Sequence, residues 1–175
     1  MNVISGLFKG KVLKSPLDSK THPMGSREKL ALFNMILSYL PSSVVLDAFA
    51  GSGALGIESL SHGAKKVVFL EKSPKIAKTI KENLKSLPSG NYETEVVVSS
   101  VSNFVSGELF DIILADPPYD AFDASEVANL TKYLKTGGIF VLSSPKFEPI
   151  PDFSGLNLEK SHTYAAASIS LYKKF

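Results

Sequence analysis

The 175-residue chain has no cysteine and only three histidines, His22, His62 and His162. The first absence excludes disulfides, a thiolate nucleophile and thiolate metal sites. The scattered histidines offer no ligand spacing, so no metal is expected. No run of about 18 apolar residues occurs, which leaves no candidate transmembrane helix. Gly6, Lys9, Gly10 and Lys11 interrupt the N-terminal stretch, which therefore lacks the apolar core of a signal peptide. The cytoplasm is the expected compartment. Internal repeats and low-complexity segments are also lacking. What is present, 44% hydrophobic and 21% charged residues, is the composition of a soluble globular protein. The length suits one domain, residues 1–175, with a single sizeable core.

Strand-like and helix-like segments alternate. Strands are expected at 44–49, 66–71, 94–99, 110–115 and 138–142, with closing strands at Leu156–Leu158 and Ala166–Leu171. Helices are expected at 54–62, at 123–135 and from Pro74, set at the first helical position, to about Ser86. A short helical turn surrounds Phe104. Upstream, residues 3–14 read as a small hairpin punctuated by Gly6 and Gly10. Residues 15–25, with Pro16, Pro23 and Gly25, form a loop. Ser26 is a candidate N-cap for a helix reaching about Tyr39, with Leu30, Phe33, Ile36, Leu37 and Leu40 on one face. Alternation of this kind implies an α/β fold: a doubly wound, Rossmann-like sheet of about seven strands, mostly parallel, with the last one antiparallel. The lysines at 75, 78, 81 and 85 are read as a solvated helix face.

Two motifs carry the chemistry. The apolar strand 110–115 runs into Asp116-Pro117-Pro118-Tyr119. Prolines 117 and 118 cannot continue a central ladder, so the strand ends there. A carboxylate and an aromatic ring are thereby set at the carboxyl edge of the sheet, where open α/β folds bind ligands. Such a site suits a planar base with an exocyclic amine: the ring stacks, while Asp116 and the Pro117 carbonyl accept the amine hydrogens. The other motif is Asp47-Ala48-Phe49-Ala50-Gly51-Ser52-Gly53-Ala54-Leu55-Gly56, a strand end, a glycine-rich turn and a helix start. Glu71 ends the following strand and is placed to hold ribose hydroxyls. Together these read as a nucleoside-cofactor pocket. Gly51, Gly53 and Gly56 also fit the dinucleotide fingerprint. Asp47 favours S-adenosylmethionine, since it is placed for a cationic amine and would repel a pyrophosphate. The alternative for Asp47 is a helix-capping acid.

The net charge of +2 is unevenly spread: residues 1–30 hold six basic and two acidic side chains, a local excess of four. A basic arm on a near-neutral body points to a phosphate-bearing partner. Lys9, Lys11, Lys14 and Arg27 are the candidate phosphate contacts, RNA contacts if the partner is RNA.

In order along the chain, these motifs resemble the RsmD-type class I methyltransferases, which act on guanine N2 of 16S rRNA. The resemblance runs from Ile4, Gly6 and Gly10, through His22-Pro23, Arg27 and Leu32-Phe33-Asn34. It continues through the glycine-rich motif, Glu58, Gly63-Ala64 and Glu71 to Asp116-Pro117-Pro118-Tyr119. The chain departs from the family pattern at His22, where an arginine is usual, and at Met24, Gly25 and Ser26. Ser99-Ser100 stand where many class I enzymes carry an acid against the adenine amine. The resemblance implies a seven-stranded sheet, S-adenosylmethionine as cofactor, and 16S rRNA or the small ribosomal subunit as partner; a monomer is expected. The candidate cofactor set is Asp47, Phe49, Ala50, Gly51, Ser52, Gly53, Glu71, Lys72, Ser100, Val101 and Asp116. Asp116, Pro117, Pro118 and Tyr119 form the candidate catalytic set. Three rivals stay open at this stage: an amino-methyltransferase acting on adenine or cytosine, a NAD-dependent reductase, and a non-catalytic RNA-binding assembly factor.

Overall fold

Seven strands form one sheet in a computed structural model that describes residues 1–16 and 24–175. His22-Pro23, Lys20 and most of the expected loop lie outside the described residues. The strands are β1 (Val44–Ala48), β2 (Lys66–Glu71), β3 (Glu93–Val98), β4 (Phe110–Ala115), β5 (Leu134–Pro145), β6 (Leu156–Thr163) and β7 (Ala167–Lys174). Their order is β3-β2-β1-β4-β5-β7-β6. The first five pair in parallel, and β7 inserts antiparallel between β5 and β6. The central strands are apolar on both sides because both faces are covered. One face packs Val45, Phe69, Ile112 and Val141 under α1 (Ser26–Ile36), α2 (Ala54–Ser61), α3 (Pro74–Lys85) and the N-terminal segment. The other packs Leu46, Leu70, Ile113 and Phe140 against Phe104, Tyr133, Phe153 and the short α4 (Ala124–Ala128).

Several expectations are corrected. The helix expected at 123–135 is only α4 and a 3-10 turn at Thr131–Tyr133. Val127, Leu130 and Leu134 have helical spacing, but Leu134 already pairs with Phe110 in the sheet. The expected N-terminal hairpin is present though short: Asn2 bridges Val12, the Val3 and Leu13 N–H groups donate to the Lys11 and Met1 carbonyls, and the Gly10 N–H donates to the Val3 carbonyl. Its backbone is also tied to the core. Helix α1 starts at Ser26 with Gly25 as N-cap, and no side chain caps it. It buries Lys29, Leu32, Phe33 and Ile36, whereas Leu30 and Leu37 are exposed. Pro74 does open α3, and the Ser73 hydroxyl accepts the Ile76 N–H. The lysine positions of α3 are exposed, while Ala77, Ile80 and Asn83 face inward.

The N-terminal segment is fastened at three points. Glu58, fully buried on α2, accepts the Ile4 and Ser5 N–H groups at 2.8–3.0 Å. Its charge is met by Lys29 at 3.1 Å, which is 3% exposed and also donates to the Asn2 carbonyl. The Ser61 hydroxyl accepts the Phe8 N–H and donates to the Ser5 carbonyl. Asn83 accepts the Lys14 N–H at 2.8 Å and donates to the carbonyls of Lys14 and Ser52. Removing one partner of a buried pair such as Lys29–Glu58 leaves an uncompensated charge and costs about 3–5 kcal/mol.

Candidate active site

Strand order reverses between β1 and β4: the chain leaves β1 for β2 and β3 on one side and adds β5 to β4 on the other. A crevice opens there at the carboxyl ends. Asp47 pairs in register with Leu114, and Ala48 with Ala115, so Asp47 and Asp116 flank the same crevice. A cavity of about 550 Å³ occupies it. Ten of the eleven candidate cofactor residues line this cavity, together with Pro117, Pro118 and Tyr119.

Gly53 is the exception. At φ +79° it is the N-cap of α2, and a Cβ there would press on Ile80 and Phe69 in the core. Its place is conformational: it turns the chain from the loop into the helix. Phe49 lines the cavity in a left-handed conformation, φ +63°. For a residue with a Cβ, that costs about 1–3 kcal/mol. The turn is held by the Ala50 N–H on the Leu70 carbonyl at 3.0 Å. Gly56 packs so closely on the Phe69 ring that a Cβ would overlap it.

Asp47 caps the helix and also faces the cavity. Its Oδ2 accepts the Gly56 N–H at 2.8 Å, which caps the first turn of α2, and the same carboxyl lines the cavity at 1% exposure. Burial pushes its pKa well above the ordinary range, and the charges of Asp116 and Glu71 push the same way against the Gly56 hydrogen bond. Glu71 uses one oxygen for the Gly51 N–H at 3.0 Å and the other for the Ser73 N–H at 2.8 Å. Each oxygen keeps a further lone pair for a ligand hydroxyl. Among the described residues five carboxylates, Asp47, Glu71, Asp116, Asp120 and Glu126, line the cavity against two lysines, Lys29 and Lys72, a balance that suits a ligand bearing positive charge.

Asp116 is raised to about 6 by burial, opposed by a hydrogen bond from Ser143. Near neutral pH it is therefore mostly an acceptor. The Tyr119 hydroxyl lies 2.7 Å from the Ser143 hydroxyl, and the residue is 36% exposed and lines the cavity. Burial, then the Asp116 charge, raises the Tyr119 phenol, which stays protonated. Ser143 was not among the candidates read from sequence. The signal available was a serine pair, Ser143-Ser144, inside the apolar run of β5. Met1, Pro16 and Met24 also line the cavity, so the N-terminal segment roofs the site.

The candidate RNA contacts lie apart. Lys9, Lys14 and Arg27 are exposed and Lys11 half-buried, and none lines the cavity. Lys14 pairs with Glu82 at 2.9 Å. Lys29, counted in the basic excess, is buried against Glu58 and does not belong to a basic surface. Among the described residues no group of three or more potential metal ligands occurs.

The donor set fits S-adenosylmethionine: carboxylates for its amine and ribose, and backbone N–H groups on the glycine turn. The fold and this crevice define a class I S-adenosylmethionine-dependent methyltransferase. Comparisons with known proteins agree. Residues 1–173 match the family described as conserved hypothetical protein 95. A Haemophilus influenzae relative, ribosomal RNA small subunit methyltransferase D, is 33% identical and covers 99% of this chain and 93% of its own. A protein of that name from Buchnera aphidicola is 30% identical, covering 85% and 80%. The solved yhhF protein of Escherichia coli superposes with a TM-score of 0.87 at 27% identity, covering 99% and 97%. The chain belongs to this family, the RsmD type that its motifs resemble.

Proposed function

We propose that this methyltransferase acts on the exocyclic N2 amine of a guanine in small-subunit rRNA. The observation that carries the reading is Asp116-Pro117-Pro118-Tyr119 at the end of β4, facing the cavity that suits the cofactor. The rRNA substrate is supported by relatives named ribosomal RNA small subunit methyltransferase D.

S-adenosylmethionine supplies a methyl group on a sulfonium, already bound to a good leaving group. The protein's task is then alignment more than acid–base chemistry. Asp47 would hold the methionyl amine, Glu71 the ribose hydroxyls, and Ser100 and Val101 the adenine. Tyr119 stacks on the target base. The Asp116 carboxylate and the Pro117 carbonyl accept the two amine hydrogens. These contacts favour a pyramidal nitrogen and stabilise the positive charge that develops on it. A paired base cannot reach the crevice, so the target is unpaired or flipped out. Exposed Lys9 and Arg27 and half-buried Lys11 meet RNA phosphates, with Lys14 released from Glu82 or contributing little. The protein works as a monomer in the cytoplasm, on the ribosomal subunit or its free rRNA.

The test is incubation of the purified protein with small-subunit rRNA and isotopically labelled cofactor, then nuclease digestion and mass spectrometry. Labelled N2-methylguanosine is expected. Label in methyladenosine or methylcytidine, or none, refutes the substrate.

A further inference from the structure

Asp116 and Ser143 sit side by side. The parallel register of β4 and β5 pairs Ala115 with Leu142, and the next residues on each strand are these two. Ser143 is 1% exposed, its hydroxyl is 2.7 Å from that of Tyr119, and it lies beside Asp116, whose buried carboxyl it draws back toward its ordinary range. A serine hydroxyl carries one proton. An ionised Asp116 has none to give, so the Ser143 proton points to Asp116. Tyr119 must then donate to the Ser143 oxygen. The three side chains form a directed chain: Tyr119 to Ser143 to Asp116.

We infer that Ser143 is a positioning residue of the site, joining the carboxylate that accepts the target amine to the aromatic ring that stacks on the base. The inference deepens the proposed function and rests on it for the identity of the amine. Its physical content does not. Ser143 opposes the burial that would otherwise protonate Asp116, and a protonated Asp116 would lose the charge that makes it a strong acceptor. The same hydroxyl anchors Tyr119 through its phenol, so the ring plane and the carboxylate are set relative to each other.

Other groups face Asp116. Asp47 comes from the end of β1, Tyr119 from its own segment, and Glu28 of α1 acts on Tyr119. Lys29, Glu71, Lys72, Asp120 and Glu126 complete the charged lining. Ser143 differs from the charged groups in bringing a neutral hydroxyl next to Asp116, at the adjoining position of the neighbouring strand.

The experiment is a carbon-13 NMR titration of the Asp116 carboxyl in the protein saturated with S-adenosylhomocysteine, alongside single-turnover methyl transfer from pH 5.5 to 9. Ser143→Ala is expected to move the Asp116 midpoint up by about one to two pH units, the range of a hydrogen bond to a charged group. Transfer should fall about two- to tenfold at pH 7 and recover by pH 9. Ser143→Thr keeps a hydroxyl and should restore the midpoint. Ser143→Cys, close in volume but a weak donor, should shift like Ser143→Ala and stands in if that variant does not fold. An unmoved midpoint in the alanine or cysteine variant overturns the inference. So does a rate loss equal at every pH, which would mark a merely structural role. Were the midpoint to move while the unaltered protein methylates no RNA, the positioning role would stand and the proposed substrate would fall.

Discussion

Replacing Asp116 by its neutral isostere separates chemistry from folding. Burial lifts this carboxyl from an ordinary value near 4 to about 6. The folded state thus holds its proton more tightly than the unfolded chain does. A group raised in this way imposes no penalty below its unfolded pKa and a growing one as pH rises through the folded value. The elevation corresponds to about 3 kcal/mol at pH 8, of which about 1 kcal/mol is already present at pH 4.5. Asp116→Asn keeps the shape and the acceptor for Ser143 but removes the charge. It should therefore be more stable than the unaltered protein by about 3 kcal/mol at pH 8, with the gain shrinking toward pH 4.5. Urea unfolding across that range, in the absence of cofactor, measures it. The same variant should lose about 10²–10³ in kcat, since a positioned acceptor for the developing charge is gone. A stability difference that does not vary with pH would refute the buried-carboxylate argument. Near-normal turnover would refute the role as amine acceptor.

Three further perturbations test other parts of the site. Glu71→Ala should weaken S-adenosylmethionine binding by about 1–3 kcal/mol in calorimetry, since it removes the carboxylate proposed to hold the ribose and loosens Gly51 and Ser73. Gly56→Ala forces a methyl into the Phe69 ring and should destabilise the fold by about 1–3 kcal/mol in thermal unfolding. It should also weaken cofactor binding, because the Gly56 N–H that Asp47 accepts moves with it. Neutralising Lys9 and Lys11 together should reduce the salt dependence of RNA binding by a slope of about 1–2 without changing cofactor affinity; an unchanged slope would return both to an ordinary solvated surface.

The local signals in the sequence were strong where one segment decides its own structure. Strands 66–71 and 110–115 have the expected boundaries, because each is an apolar run closed by a turn residue or prolines. The crevice was legible too, since Asp47, Glu71 and Asp116 each lie at or next to the carboxyl end of a strand in the parallel part of one sheet. What escaped was set by pairing between distant segments. Leu134 fits a helical stripe, yet the partner that makes it a strand residue is Phe110. Lys29 reads as surface charge, and only the buried Glu58 makes it interior. Ser143 acquires its place from a register across two strands, which no local pattern encodes.

The way the N-terminal segment is fastened has a consequence for how this protein can diverge. Glu58, Ser61 and Asn83 grip it through peptide N–H and carbonyl groups at Ile4, Ser5, Phe8 and Lys14. Peptide groups are the same whatever side chain they carry. Exposed positions such as Leu7, Lys9 and Val12 can therefore be exchanged without loosening the roof of the cavity. An enzyme built this way can acquire a different RNA partner by altering a few surface residues, while the chamber behind them stays as it is.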